Sequence, residues 1–163
     1  MASKPEPPLT LKPGDPAPDF RAPIQDGSEI TLEQFRGRPV VLYFYPRDNT
    51  PGCTTEACGF RDHWAEIQAA GAVVLGVSPD TVARHANFAA KHDLPFPLVA
   101  DPDKKILRAY GVYGPKQFMG RVSEGVHRVT FLIDPRGRIA RIWPKVKVKE
   151  HAQEVLEALR ELA

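Results

Sequence analysis

Apolar residues along this chain follow two rhythms, continuous runs and helical spacing, and together they predict most of the framework. Val40 to Tyr45 is an unbroken run of β-branched, leucine and aromatic residues, the pattern of a strand buried on both faces. Ala72 to Val77 repeats that pattern, and Leu98 to Ala100 predicts a shorter strand. Val126 to Ile133 and Arg138 to Trp143 predict a hairpin that turns at Asp134-Pro-Arg-Gly137. Ala57, Phe60, Trp64 and Ile67 recur at helical spacing and predict a helix over Cys53 to Ala70, stopped by Gly71. Ser78 and Pro79 suit the cap and first position of a helix reaching about His92. Lys104 to Tyr110 predicts a short helix. Val148, Ala152, Val155, Leu159 and Leu162 share one face of a final helix. Near the start, Thr31-Leu-Glu-Gln34 has the capping-box pattern of a single helical turn before Gly37.

The resulting order is β-α-β-α, then a β-hairpin, then a closing helix. It predicts an α/β fold, a thioredoxin-like three-layer sandwich with a central mixed sheet flanked by helices. Seven of the 17 prolines fall within the first 23 residues. Residues 1–10 are therefore expected to form a flexible, irregular lead-in, and residues 11–163 a single domain. The formal net charge of +2 comes from 22 basic and 20 acidic residues mixed along the chain, too even a balance to predict nucleic acid or a membrane surface as partner. Met1 to Pro8 lacks the apolar core of a signal peptide, and no apolar run approaches the roughly 20 residues of a membrane span. A cytoplasmic location is expected, where thiols stay reduced and disulfides are usually transient and catalytic.

That expectation matters because the chain has only two cysteines, Cys53 and Cys58. Two thiols in a reducing compartment do not make a structural framework, so local chemistry has to explain them. Cys53 lies in Thr50-Pro-Gly-Cys53, between a buried strand and a helix, where open α/β sheets place their ligands. Thr50 suits an N-cap and Pro51 the first helical position, which puts Cys53 in the first turn. Unpaired backbone N–H groups and the positive end of the helix dipole favour an anion there, so a thiolate is stabilised. A thiolate attacks the terminal oxygen of a hydroperoxide, and negative charge moves onto the departing oxygen. The Thr50 hydroxyl, the amides around Gly52 and Cys53, and one guanidinium would stabilise that charge.

The string from Tyr45 to Cys58, Tyr-Pro-Arg-Asp-Asn-Thr-Pro-Gly-Cys-Thr-Thr-Glu-Ala-Cys, resembles the active-site segment of peroxiredoxins. Pro46, Thr50 and Cys53 match the family's Pro-x-x-x-Thr-x-x-Cys motif. The second cysteine and Phe60-Arg-Asp62 resemble the bacterioferritin-comigratory, or Q-type, subfamily. Ala17-Pro-Asp-Phe20 and Arg128-Val-Thr-Phe-Leu-Ile-Asp134 extend the likeness from about Leu11 to the last helix. The resemblance implies a thioredoxin-dependent peroxidase acting on hydrogen peroxide and organic hydroperoxides in antioxidant defence. Cys53 would be peroxidatic and Cys58 resolving, joined in the oxidised form by a Cys53–Cys58 disulfide. Thr50 would hydrogen-bond the peroxide, Pro46 would shield the sulfenic acid, and Arg128 would polarise thiolate and substrate. Glu56 and Gly52 would have supporting parts, Glu56 through a hydrogen bond. Thioredoxin or a similar dithiol is the implied reductant, with no cofactor and no metal. The implied assembly is a monomer or weak homodimer. Val129 departs from the small polar residue common beside that arginine, and is expected to tune the pocket.

On an intact helix, residues five apart lie about 140° around the axis and about 7.5 Å along it. That exceeds a disulfide's reach, so the turn between Cys53 and Cys58 has to unwind first. Gly59 is expected to ease the opening.

Plainer readings compete at each position. Cys53 and Cys58 can simply pack in a core, Thr50 can be only a cap, Pro46 can only end a strand, and a strand arginine ordinarily faces solvent. Cys53, Cys58 and His63 wind around the helix instead of converging on a metal. His85, His92, His127 and His151 show no clustering in sequence and read as surface or packing residues. A thioredoxin-like disulfide oxidoreductase is the main alternative, but that class uses CxxC, whereas this chain has CxxxxC. A non-catalytic redox sensor is the other.

Overall fold

The computed structural model describes residues 5–162. Its centre is β3 (Val40–Phe44), fully buried along its length as the continuous apolar run predicts. It pairs in parallel with β4 (Val73–Ser78), which pairs in parallel with β5 (Leu98–Ala100). On its other side β3 pairs antiparallel with β8 (Val129–Ile133), and β8 with β9 (Ile139–Trp143). The five-stranded mixed sheet therefore runs β5-β4-β3-β8-β9.

Strand alternation divides the core between the two faces of this sheet. Val41, Tyr43 and Tyr45 face one cluster, with Ala57 and Phe60 of α1 (Pro51–Asp62), Ile67 of α2 (Trp64–Ala69), Phe88 of α3 (Val82–His92) and Val155 of α5 (His151–Leu162). Val40, Leu42 and Phe44 face the other, with Ile106 and Leu107 of α4 (Lys105–Ala109) and Ile30 of the small antiparallel pair β1 (Arg21–Pro23) and β2 (Glu29–Thr31). Helices thus cover both faces, and the architecture is the expected thioredoxin-like three-layer sandwich. No described helix is long and apolar enough to cross a membrane.

The capping box is realised in full. Thr31 N–H donates to Gln34 Oε1 at 2.8 Å, and Gln34 N–H to Thr31 Oγ1 at 3.2 Å, opening a single 3-10 turn at Glu33–Phe35. Four predicted boundaries are corrected. The helix expected over 53–70 is broken at His63, whose ring Nδ1 and backbone N–H both reach the Gly59 carbonyl. The cap of α3 is Thr81, whose Oγ1 accepts from Arg84 N–H, because the Ser78 hydroxyl is engaged with Asp80. The last helix starts at His151, after a turn closed by Glu150 N–H on Lys147 O, which leaves Val148 outside it. Finally, Val126 ends a different strand. β6 (Tyr113–Phe118) and β7 (Arg121–Val126) form a hairpin not predicted from sequence. Met119 and Gly120 both take positive φ in its turn, without the asparagine–glycine pair that signals such turns.

Of the expected lead-in, residues 1–4 lie outside the described residues. From Pro5 to Thr10 the chain is irregular, and Leu9 packs against the second cluster.

One close approach in the sheet bears on the packing near α1. Gly76 of β4 is the cross-strand partner of Tyr43, and a Cβ there would lie 2.8 Å from the Tyr43 ring. Gly76→Ala is expected to destabilise the fold by about 1–3 kcal/mol through overpacking. Urea unfolding of the two proteins checks this.

Candidate active site

The connection from β3 to α1 is short and carries most of the residues singled out in the sequence. Tyr45 N–H still pairs with Val77 O at 3.1 Å, then half-buried Pro46 ends the strand. Asn49 takes a left-handed φ of 64°, a conformation that asparagine tolerates, and Thr50 returns to extended backbone as N-cap. Pro51 is the first helical residue. The Thr50 side chain does not cap the helix. Its hydroxyl donates back to Arg47 O at 3.0 Å, while its carbonyl accepts the first helical bond from Thr54 N–H.

Cys53 sits in the first turn on the inner face of α1 with Glu56, Ala57 and Phe60, and is 1% exposed. Arg128 reaches it from the residue just before β8. Thr130 and Leu132 point to the α1 face of the sheet, and Arg128, two residues before Thr130, shares that side. Its Nη2 donates to Cys53 Sγ at 3.2 Å, and its Nη1 donates to Glu56 Oε1 at 2.6 Å. One guanidinium therefore bridges a thiol and a carboxyl on the same helix. Gly52 makes room for it, since a Cβ at that position would lie 3.3 Å from Arg128 Nη2.

The electrostatics of the two partners differ. Burial opposes the charge on Arg128, but Glu56 and the Cys53 sulfur outweigh it and raise the pKa. Glu56 is wholly buried and its Oε2 has no hydrogen-bond partner among the described residues. Burial pushes its carboxyl up to about 7 against the pull of Arg128. The guanidinium is thus the fixed charge, and the carboxyl is the group able to change protonation. A second cation, Lys116 of β6, donates from Nζ to Val126 O at 2.7 Å. Burial and then Arg128 lower its pKa, while Cys53 opposes them. Sequence reading missed Lys116 because it missed the hairpin.

Cys58 is not part of this constellation. It lies half-buried on another side of α1, in a groove with Thr55, Asp62, His63 and Lys149, and both cysteines are free thiols. Val129 faces the core cluster on the opposite side of the sheet from Arg128, so it does not line the site. The histidine reading also changes. His85, His127 and His151 are buried, and His85 belongs to a cluster with Asp48 and Asp80. Burial, with the charges of Arg128 and Arg141, lowers the pKa of His151 to about 4, and its Nε2 lies 2.7 Å from Thr130 Oγ1.

Comparison with known proteins identifies the family. The AhpC/TSA family model matches residues 13–142. A putative peroxiredoxin bcp of Coxiella burnetii is 46% identical over 93% of this chain and 100% of its own length. The peroxiredoxin Bcp of Bacillus subtilis is 43% identical over 95% of this chain and 99% of its own. Among solved structures, the bacterioferritin comigratory protein of Xanthomonas campestris, described for its alkyl peroxide reduction activity, superposes with a TM-score of 0.83. It is 43% identical and covers 87% of this chain and 90% of its own. The cysteine held against a guanidinium at a helix start is therefore set in a chain that belongs to the AhpC/TSA family, a peroxidase oxidoreductase of the bacterioferritin-comigratory, peroxiredoxin Q type.

Proposed function

We propose that Cys53 reduces hydrogen peroxide and organic hydroperoxides, and that Cys58 and a dithiol protein of the thioredoxin type restore it. The observation that carries this reading is the 3.2 Å contact between Arg128 Nη2 and Cys53 Sγ at the amide-rich start of α1. The thiolate attacks the terminal peroxide oxygen, the S–O bond forms as the O–O bond breaks, and the departing alkoxide or hydroxide takes up a proton. Cys53 is left as sulfenic acid. The Arg128 guanidinium and the first-turn amides stabilise charge on the oxygens, joined by the Thr50 hydroxyl when it turns from the Arg47 carbonyl to the peroxide, while Pro46 limits water at the sulfur. Cys58 then displaces hydroxide from the sulfenic sulfur, and with a proton this leaves as water, giving the Cys53–Cys58 disulfide. A thioredoxin-like dithiol reduces that bond and is itself oxidised. The enzyme works in the cytoplasm as a monomer or weak homodimer, without cofactor.

Glu56 supports the site through Arg128. Opposite the guanidinium, a carboxylate and a thiolate compete for one positive charge, so a protonated Glu56 leaves more of it for the sulfur.

Three outcomes test this reading. One equivalent of peroxide is expected to remove two hydrogens from the intact mass, mapped to the peptide holding Cys53 and Cys58. Cys58→Ser is expected to consume one equivalent and stop, while Cys53→Ser consumes none. Sustained thioredoxin-linked turnover by Cys58→Ser would remove Cys58 from the mechanism. Arg128→Met is expected to slow sulfenic acid formation by about 10²–10³-fold, as loss of one oriented donor does elsewhere, and stopped-flow kinetics measures it.

Glu56 predicts a pH dependence of stability. Its folded pKa of about 7 exceeds the ordinary 4.5, so between those values the folded state holds a proton that the unfolded state has lost. Stability contributed by this group is full below about 4.5, falls as pH rises to about 7, and then levels. Glu56→Gln is expected to show a shallower decline than the unsubstituted protein in urea titrations across that window.

A further inference from the structure

A second polar cluster lies behind the β3–α1 connection, wholly buried and outside the chemistry described so far. Tyr45 Oη donates to Asp48 Oδ1 at 2.6 Å, and Asp48 Oδ2 lies 2.7 Å from His85 Nδ1. The other ring nitrogen, Nε2, lies 3.0 Å from the Val99 carbonyl. Asp48 N–H donates to Asp80 Oδ2 at 2.8 Å, and that oxygen also accepts from Ser78 Oγ at 2.6 Å. Arg84 Nη1 stands 3.6 Å from Asp80 Oδ1. Asp48, Asp80, Ser78 and His85 are all at most 5% exposed.

Donor counting shows how the ring is held. A carbonyl oxygen only accepts, so Nε2 must carry a proton toward Val99. Nδ1 and Asp48 Oδ2 share one hydrogen bond, and the Tyr45 hydroxyl occupies the other carboxyl oxygen, so every polar atom of the His85–Asp48 contact has a partner. Both ring nitrogens are thus engaged within the protein, which argues against a metal at this cluster.

The cluster joins four pieces of chain at one end of the sheet: the loop 46–50, the β4–α3 connection, α3 and β5. Asp48 is the only side chain that the loop commits to it. The neighbouring Thr50 and Pro46 are the residues assigned above to the peroxide and to the nascent sulfenic acid.

We propose that His85 is a positioning residue for peroxide reduction: bound to Asp48 through one ring nitrogen and to the Val99 carbonyl through the other, it fixes the 46–50 loop, and with it Thr50 and Pro46, over Cys53. This rests on the reading of Cys53 as the peroxide-reactive sulfur. It adds to that reading a fixed wall, supplied by α3 and β5, against which the first turn of α1 can open and close again.

The first test needs no substitution. Long-range proton–nitrogen correlation spectra of the reduced full-length protein are expected to show His85 Nε2 protonated and the ring held in one orientation. A ring protonated on Nδ1 alone would overturn the proposal, whatever Cys53 does. The second test compares His85→Gln and Asp48→Asn with the unsubstituted protein, using hydrogen peroxide and iodoacetamide as two electrophiles on reduced Cys53. Misplacing an orienting residue is expected to slow the peroxide step roughly ten-fold or more, with iodoacetamide alkylation within about two-fold of the original. Hydrogen exchange across residues 46–50 is expected to rise. Equal slowing of both electrophiles, or an unchanged peroxide rate, would overturn the positioning role. If the unsubstituted protein itself fails to react with peroxide, the reading of Cys53 fails instead, and the ring spectrum still reports separately on the His85 contacts.

Discussion

The site depends on a single guanidinium shared between the sheet and the first helix. Arg128 holds Cys53 at 3.2 Å and Glu56 at 2.6 Å, and both belong to the first two turns of α1. The bridge links a long sequence separation, since it joins residues 72 and 75 positions apart. It also places a positive charge where water has limited access, and charge acts more strongly in such surroundings than at a wet surface. A thiol packed among Ala57, Phe60 and Tyr43 would otherwise be an inert core group. The same burial that limits solvent at the sulfur makes the arginine effective, and Gly52 supplies the space that lets the two meet.

Two separate groups of buried polar side chains flank the β3–α1 connection. One joins Arg128, Glu56 and Cys53; the other joins Tyr45, Asp48, Asp80 and His85. One acts on the helix that follows the 46–50 loop and the other on the loop itself. Buried ionic groups of this kind are weak sources of net stability, because desolvation offsets most of the attraction. Their place beside the reactive sulfur is better explained by geometry, since one pins the start of α1 to the sheet and the other pins a loop that has no regular hydrogen bonding of its own.

Much of this was legible in the sequence, for identifiable reasons. The sheet strands β3 and β4 announce themselves because strands buried on both faces read as continuous apolar runs. The capping box at Thr31 and Gln34 is purely local, and the structure forms it as written. Cys53 could be placed in the first turn because Thr50 and Pro51 mark a helix start within four residues. Arg128 is different. Its alternation with Thr130 and Leu132 puts it on one face of β8, but nothing local says that α1 covers that face. The His85 cluster was illegible for the same reason, since Asp48, Asp80 and His85 meet only through the sheet order. The β6–β7 hairpin escaped because its strands carry Lys116, Gln117, Ser123 and Glu124 where alternation would call for apolar residues, and its turn residues are Met119 and Gly120.

The interruption at His63 has a mechanical meaning. It makes α1 a segment of only twelve residues, a length at which an isolated helix in water is marginal. Such a segment keeps its shape mainly by leaning on Tyr43 and on α5, through Phe60 and Ala57. Its hydrogen-bond ladder is not continuous with that of α2, so fraying that begins at Cys53 has a natural stopping point one residue past Asp62. Ile67 belongs to the separate helix α2 and is buried in the same core cluster. The helix that carries both cysteines thus ends before the residue that anchors its successor.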